Sequence, residues 1–257
     1  MAGRYHTVML MPPLRFRQIA FQAVQLGPEV ITLFTHDGAL SGDRVSKRKE
    51  QALVKWLVSN ISARLLLWEV MGRSPDAFFV TEVHDPFYGP NEGDIDLLVC
   101  DSGAPHEAAV LECKRVKVEV VDAGNDRINK LEEVGRGVQQ AKKLYEKFSF
   151  SQTYLAVISA IDAANRTNVN VPCNGITSES IPNWDTSTTT FRNIVQFPRR
   201  EELPPDIGII FIELVQTSGR RFEEQGTLRL CMHHPATPRR QRTADTRKIE
   251  KLMEAAT

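Results

Sequence analysis

Two strand-like runs joined by a short turn constrain this chain more than any other feature. Asp94-Ile-Asp-Leu-Leu-Val-Cys100 and Ala108-Ala-Val-Leu-Glu-Cys-Lys-Arg-Val-Lys-Val118 are rich in β-formers, and Asp101-Ser-Gly-Ala-Pro105 between them is a turn by composition. Together they predict a β-hairpin. If its turn centres on Ala104, residues whose numbers sum to 208 lie opposite one another, so Asp96 faces Glu112 and Asp94 faces Lys114. Side chains alternate between faces along a strand, which puts Asp94, Asp96, Glu112 and Lys114 on one face. Directly opposed Cβ atoms stand ~5 Å apart. Several carboxylates on one face repel each other unless a cation joins them. Lys114 is one candidate, and a divalent ion held by oxygen donors is another.

The segments around the hairpin have a definite order. Ser46 to Met71 predicts a helix, with Leu53, Trp56, Leu57, Ile61, Leu65 and Trp68 at three- and four-residue steps, Ser46 as its cap, and Gly72 and Pro75 as its end. Ala77 to Val83 predicts a strand ahead of the hairpin. Arg127 to Phe148 predicts a second helix on the stripe Leu131, Val134, Val138, Ala141, Tyr145 and Phe148. Thr153 to Ile158 predicts a buried strand. Before residue 46 the sequence suggests a short helix over Arg15–Leu26 and a strand over Val30–Phe34. Residues 162–205 are turn-rich and predict a long loop, a length more often functional than plain linker. Strands are expected at Ile207–Leu214 and Thr227–His233, and a helix after Thr243.

Bulk properties exclude several classes. With 42% hydrophobic and 25% charged residues the chain is neither disordered nor fibrous. Lys+Arg and Asp+Glu both total 32, so a nucleic-acid partner is not implied by net charge and would have to meet a local basic patch. The longest apolar stretch, Ile207 to Ile212, is far below the ~18 residues of a membrane span. Met1 to His6 opens no leader-like apolar run, so a cytoplasmic protein with no membrane partner is expected. Cys100, Cys113, Cys173 and Cys231 form no CxxC pair and read as reduced thiols.

Glu112-Cys-Lys114 is the only Asp/Glu-x-Lys triplet in the chain, and one such triplet is expected by chance at this charge density. Its weight comes from the aspartate across the hairpin and from the order helix, three strands, helix, strand. On those residues, Gly93-Asp-Ile-Asp-Leu-Leu-Val99 followed by Val110-Leu-Glu-Cys-Lys114, the chain resembles the PD-(D/E)XK nuclease superfamily. The resemblance covers residues 46–160. It implies an α/β protein with a restriction-endonuclease-like αβββαβ core, a mixed central sheet flanked by helices, and N- and C-terminal extensions. The chain then divides into an N-terminal extension (1–45), the nuclease core (46–160), a loop-rich extension with one or two added strands (161–237) and a basic polar tail (238–257).

The resemblance implies Asp96, Glu112 and the Cys113 carbonyl as metal ligands and Lys114 as the catalytic lysine. Gly93-Asp94 stands where the superfamily has Pro-Asp, which leaves Asp94 as a rival to Asp96. Many members add an acid from the first helix. Glu50 is preferred here, with Glu69 and the strand residue Glu82 as alternatives. The Gln-x-x-x-Tyr pattern of the exonuclease branch is broken, because Gln140 and Tyr145 are five apart. Tyr145 falls on the apolar face, Gln139 and Gln140 stay candidates for a place near the metal, and Lys142 and Lys143 fit a solvated face ahead of a phosphate contact. His233 and His234 point to opposite faces of a strand and make a poor metal pair. Trp184 fits either base stacking or loop anchoring.

The implied function is a Mg²⁺-dependent nuclease acting on phosphodiester bonds, DNA in the first place, with Mn²⁺ as a substitute and a homodimer as one way to cut both strands. The alternative is a nuclease-fold protein that binds nucleic acid or assembles a complex without cleaving.

Overall fold

The computed structural model describes residues 22–26, 49–89, 93–122, 125–162, 168–173, 177–182, 194, 196–217 and 225–256. Its first helical unit is not one helix but two, α1 (Glu50–Ser59) and α2 (Ile61–Met71). The break lies at Asn60, which is extended at φ −77° and ψ 114° and accepts a hydrogen bond from the Ala63 N–H at 3.0 Å. A short amide side chain offers the backbone this alternative to continuing the helix, which periodicity alone does not reveal. Ser46 lies outside the described residues. Gly72 ends α2 in the left-handed region at φ 67°.

Strands β2 (Phe78–Val83), β3 (Ile95–Cys100) and β4 (Ala109–Asp122) follow as an antiparallel meander. The β3–β4 register is Leu97 to Leu111, Leu98 to Val110 and Val99 to Ala109, so the opposed numbers sum to 208, the register assumed for a turn centred on Ala104. Strand β5 (Asn125–Asn129) then folds back on β4, and α3 (Leu131–Lys147) returns the chain to β6 (Gln152–Asp162), which runs parallel to β4. The αβββαβ order therefore holds, with β5 inserted. The expected helix start at Arg127 is corrected by β5. Residues 127–129 pair with β4, and Lys130, left-handed at φ 66°, turns the chain into α3.

Beyond residue 160 the fold keeps building the same sheet. β9 (Gly208–Thr217) pairs parallel to β6, and β10 (Gln225–His234) pairs antiparallel to β9. β1 (Gln22–Leu26) closes the far edge against β10. The strand order is β1-β10-β9-β6-β4-β3-β2, with β5 on β4, a mixed sheet flanked by helices. Gln22–Leu26 is thus a strand and not the end of a helix; the expected helix start and the strand at Val30–Phe34 lie outside the described residues. Within 162–205, β7 (Asn168–Cys173) and β8 (Thr177–Pro182) pair as a separate two-stranded sheet where turn residues predict loop.

The central strands explain the layering. From Tyr154 to Ala160 every residue of β6 is buried, the near-continuous run expected of a strand covered on both faces. Tyr154, Ala156 and Ile158 pack with Leu53, Leu57, Leu67 and Trp68 of α1 and α2. Leu155 and Val157 pack with Val134, Val138 and Ala141 of α3. A third cluster joins β3 and the end of α3 to α4 (Thr243–Ala256) through Leu98, Phe148 and Ile249. Among the described residues no helix is long and apolar enough to cross a membrane.

Candidate active site

The site arises where β3 and β4 part. Along one edge of β4, pairing with β3 ends at Leu111 and pairing with β5 begins at Lys117, while β6 covers the other edge throughout. On that first edge the backbone between Leu111 and Lys117 has no strand beside it among the described residues, and buried N–H groups left unbonded are costly. Two carboxylates answer this. Asp96 Oδ2 accepts the Cys113 N–H at 2.7 Å, and Glu50 Oε2 accepts the Arg115 N–H at 2.7 Å. Asp96 comes from the second residue of β3 and Glu50 from the first residue of α1.

Lys114 lies between them. Its Nζ donates to the Cys113 carbonyl at 2.7 Å and to Glu50 Oε1 at 3.2 Å, forms an ion pair with Glu112 Oε1 at 2.7 Å, and stands 4.0 Å from Asp96 Oδ2. Glu112 and Lys114 are buried, with 2% and 7% of their surface exposed. The structure thus brings together all four side chains singled out in the sequence, Glu50, Asp96, Glu112 and Lys114, together with the Cys113 carbonyl.

Their electrostatics follow from burial and mutual repulsion. Burial, opposed in part by Lys114 and the Cys113 N–H, pushes the Asp96 carboxyl up to about 6. Burial, with the neighbouring Asp96 charge, pushes Glu112 up to about 8. For Lys114 burial acts the other way, but the charges of Glu112, Glu50 and Asp96 outweigh it and hold the ammonium above its ordinary range. Three carboxylates against one ammonium leave an excess of negative charge, so the pocket retains protons or takes a further cation.

The alternative acids are elsewhere. Asp94 bonds His84 Nδ1 at 2.9 Å and is half-exposed. Glu82 pairs with Lys55 at 2.5 Å from a left-handed backbone at φ 54°. Glu69 is exposed, one turn before the Arg73–Ser74 contacts with Glu107 and Asp101 at the hairpin-turn end of the sheet. Gln139 and Gln140 are exposed. The Tyr145 ring is covered by the Arg239 guanidinium at 3.7 Å, and that side chain also donates to the Tyr145, Phe148 and Phe150 carbonyls. Arg242 donates to the Lys147 carbonyl. These two arginines of the basic tail therefore bind the end of α3. The two histidines diverge, His233 toward the Phe211 ring and His234 to the Pro205 carbonyl. Trp184 lies outside the described residues.

One contributor escapes a reading by residue chemistry. Gly137 of α3 lies against the Lys114 stem, where an added Cβ would meet Lys114 Cγ at 2.4 Å. The signal was present in the sequence as two glycines, Gly135 and Gly137, inside an otherwise regular helical stripe.

The oxygen donors around Lys114 are carboxylates and a carbonyl, the donor set of a hard divalent cation. Among the described residues, no three His, Cys, Asp or Glu side chains are already arranged to hold one ion. The cation at their centre is the Lys114 ammonium.

No protein-family model matches this chain. No curated protein matches it either. Among solved structures the chain is similar to Pyrococcus furiosus SfsA in complex with Ca²⁺, at 13% identity and a TM-score of 0.28, over 74% of this chain and 63% of that one. The chain thus spans less than two thirds of the SfsA chain's length.

Proposed function

We propose that this chain is a metal-dependent nuclease of the PD-(D/E)XK type that hydrolyses phosphodiester bonds in DNA. One observation carries the reading: the open edge of β4 gathers Asp96, Glu112 and the Cys113 carbonyl around the Lys114 ammonium. Asp96, Glu112 and the Cys113 carbonyl would hold Mg²⁺, or Mn²⁺ in its place. When bound, the ion would supply Lewis-acid polarisation of the phosphate and a more acidic water. Lys114 then turns its ammonium toward the phosphate. There it would orient the scissile group and stabilise developing charge, or position the attacking water. Glu50 holds Lys114 and the Arg115 N–H, and so fixes the strand that carries both functions. Two copies would present one such site to each strand of a duplex.

The test is incubation of purified protein with linear, circular and single-stranded DNA in Mg²⁺, Mn²⁺ or EDTA. Cleavage should need the metal and vanish in Asp96→Ala and Lys114→Ala. Metal-dependent cleavage that survives both substitutions would sink the assignment.

A second reading, a nuclease fold that binds nucleic acid or a protein complex without cutting, is favoured by the ion pairs through which the Lys114 ammonium already occupies the pocket. Calorimetry separates the two: intact DNA affinity with no heat of Mg²⁺ or Mn²⁺ binding supports the second.

A further inference from the structure

Helix α3 carries two interior glycines, each costing about 1 kcal/mol relative to alanine. They face different neighbours. A Cβ on Gly135 would have the exposed, flexible Glu201 side chain as its nearest neighbour, with the carboxylate oxygen Oε2 at 3.3 Å. A Cβ on the buried Gly137 would stand 2.4 Å from Lys114 Cγ, 3.3 Å from Lys114 Cδ and 3.0 Å from Leu155 Cδ1. Carbon atoms do not approach to 2.4 Å, so any side chain at 137 displaces the lysine stem. The stem has little room to yield. Its tip is tied to Glu112, the Cys113 carbonyl and Glu50, and the Leu155 side chain beside it is fully buried.

We propose that Gly137 is a positioning residue for Lys114: the space left by its absent side chain is the passage through which the lysine stem runs beneath α3 to bring Nζ among Glu112, Glu50 and the Cys113 carbonyl. The consequence for DNA cleavage rests on the nuclease reading above; the positioning of the ammonium does not.

Three measurements test it. The first is the rate at which an amine-reactive reagent labels Lys114 in the native protein, read by peptide mass spectrometry without DNA or metal. Wild type and Gly135→Ala should label slowly and alike, and Gly137→Ala several-fold faster. The second is thermal unfolding of Gly137→Ala in the wild-type and Lys114→Ala backgrounds. The substitution should lower Tm more beside Lys114 than where the stem is gone, because only the contact with Leu155 Cδ1 at 3.0 Å then remains against the better helix propensity of alanine. The third is Mg²⁺-dependent cleavage, where Gly137→Ala should lose about 100-fold in kcat with KM unchanged, while Gly135→Ala keeps wild-type rates. Wild-type labelling of Lys114 in Gly137→Ala would overturn the proposal. So would an equal Tm change, or failure to fold, in both backgrounds. If labelling and Tm behave as expected but the wild type cuts no DNA, the nuclease reading falls and the positioning of Lys114 stands.

Discussion

Asp96 and Cys113 are joined across a gap in the sheet, the carboxylate of one accepting the backbone N–H of the other at 2.7 Å where β3 no longer pairs with β4. Asp96 therefore serves the fold and the pocket with the same oxygen. Asp96→Asn keeps an acceptor for Cys113 and should leave the urea midpoint near wild type while removing divalent-ion binding. Asp96→Ala should lose binding and also about 1–3 kcal/mol of stability, the cost of an unsatisfied buried donor. Equal stability of the two variants would show that the N–H finds another partner.

The Lys114 ammonium stands within 4.0 Å of Glu50, Asp96 and Glu112. Lys114→Ala leaves buried carboxylates unpaired and should destabilise the protein by ~3–5 kcal/mol. Ca²⁺ should restore part of this by taking the place of the ammonium among the same oxygens. Thermal unfolding with Ca²⁺ and with EDTA checks it. A variant as stable as wild type and indifferent to Ca²⁺ would argue against the pocket as a cation site.

The raised carboxyls give stability a definite pH dependence. Asp96 is pushed up to about 6 and Glu112 to about 8, so between the ordinary carboxylate range and pH ~8 the folded state holds more protons than the unfolded chain. Their contribution is full below that range and is lost as pH rises through 6 to 8. Urea midpoints at pH 5, 7 and 9 should fall more steeply in wild type than in Glu112→Gln, which cannot titrate. Identical slopes would remove Glu112 as the cause.

Asp245 behaves in the opposite sense. Burial would raise it, but the Ser149 N–H and hydroxyl, both at 3.0 Å, and Arg242 outweigh burial and hold it below its ordinary range. A depressed carboxyl stabilises above its unfolded pKa and loses that contribution as pH falls through the folded one. Asp245→Asn should therefore lower stability at pH 7 and show less further loss in acid than wild type. Denaturation at pH 7 and pH 3 measures both.

The hairpin and its pocket were legible because their information is local. A turn assumed to centre on Ala104 matches the observed register, and strict two-residue alternation then puts Asp96, Glu112 and Lys114 on one face. Helix-stripe logic placed α3 and the span of α1 and α2 for the same reason. What was not legible depends on partners distant in the chain. Residues 127–129 are polar enough for a helix start, yet β4 offers them a strand ladder. The segment Gln22–Leu26 becomes a strand because β10, some two hundred residues later, presents an edge to it. Gly137 carries no reactive group, and its role appears only when the helix lies against Lys114. The Arg239 and Arg242 contacts with the end of α3 were equally hidden, since charge counting cannot tell a helix cap from a free basic tail.

The parallel pairing of β6 with β9, from Tyr154–Gly208 to Asp162–Gln216, has a consequence for biosynthesis. The strand that supports the pocket from behind is translated about fifty residues before its second neighbour exists. Until β9 emerges, a nascent chain already holding Glu50, Asp96, Glu112 and Lys114 exposes one edge of a strand that is buried from Tyr154 to Ala160 in the folded protein, the kind of edge that recruits other chains.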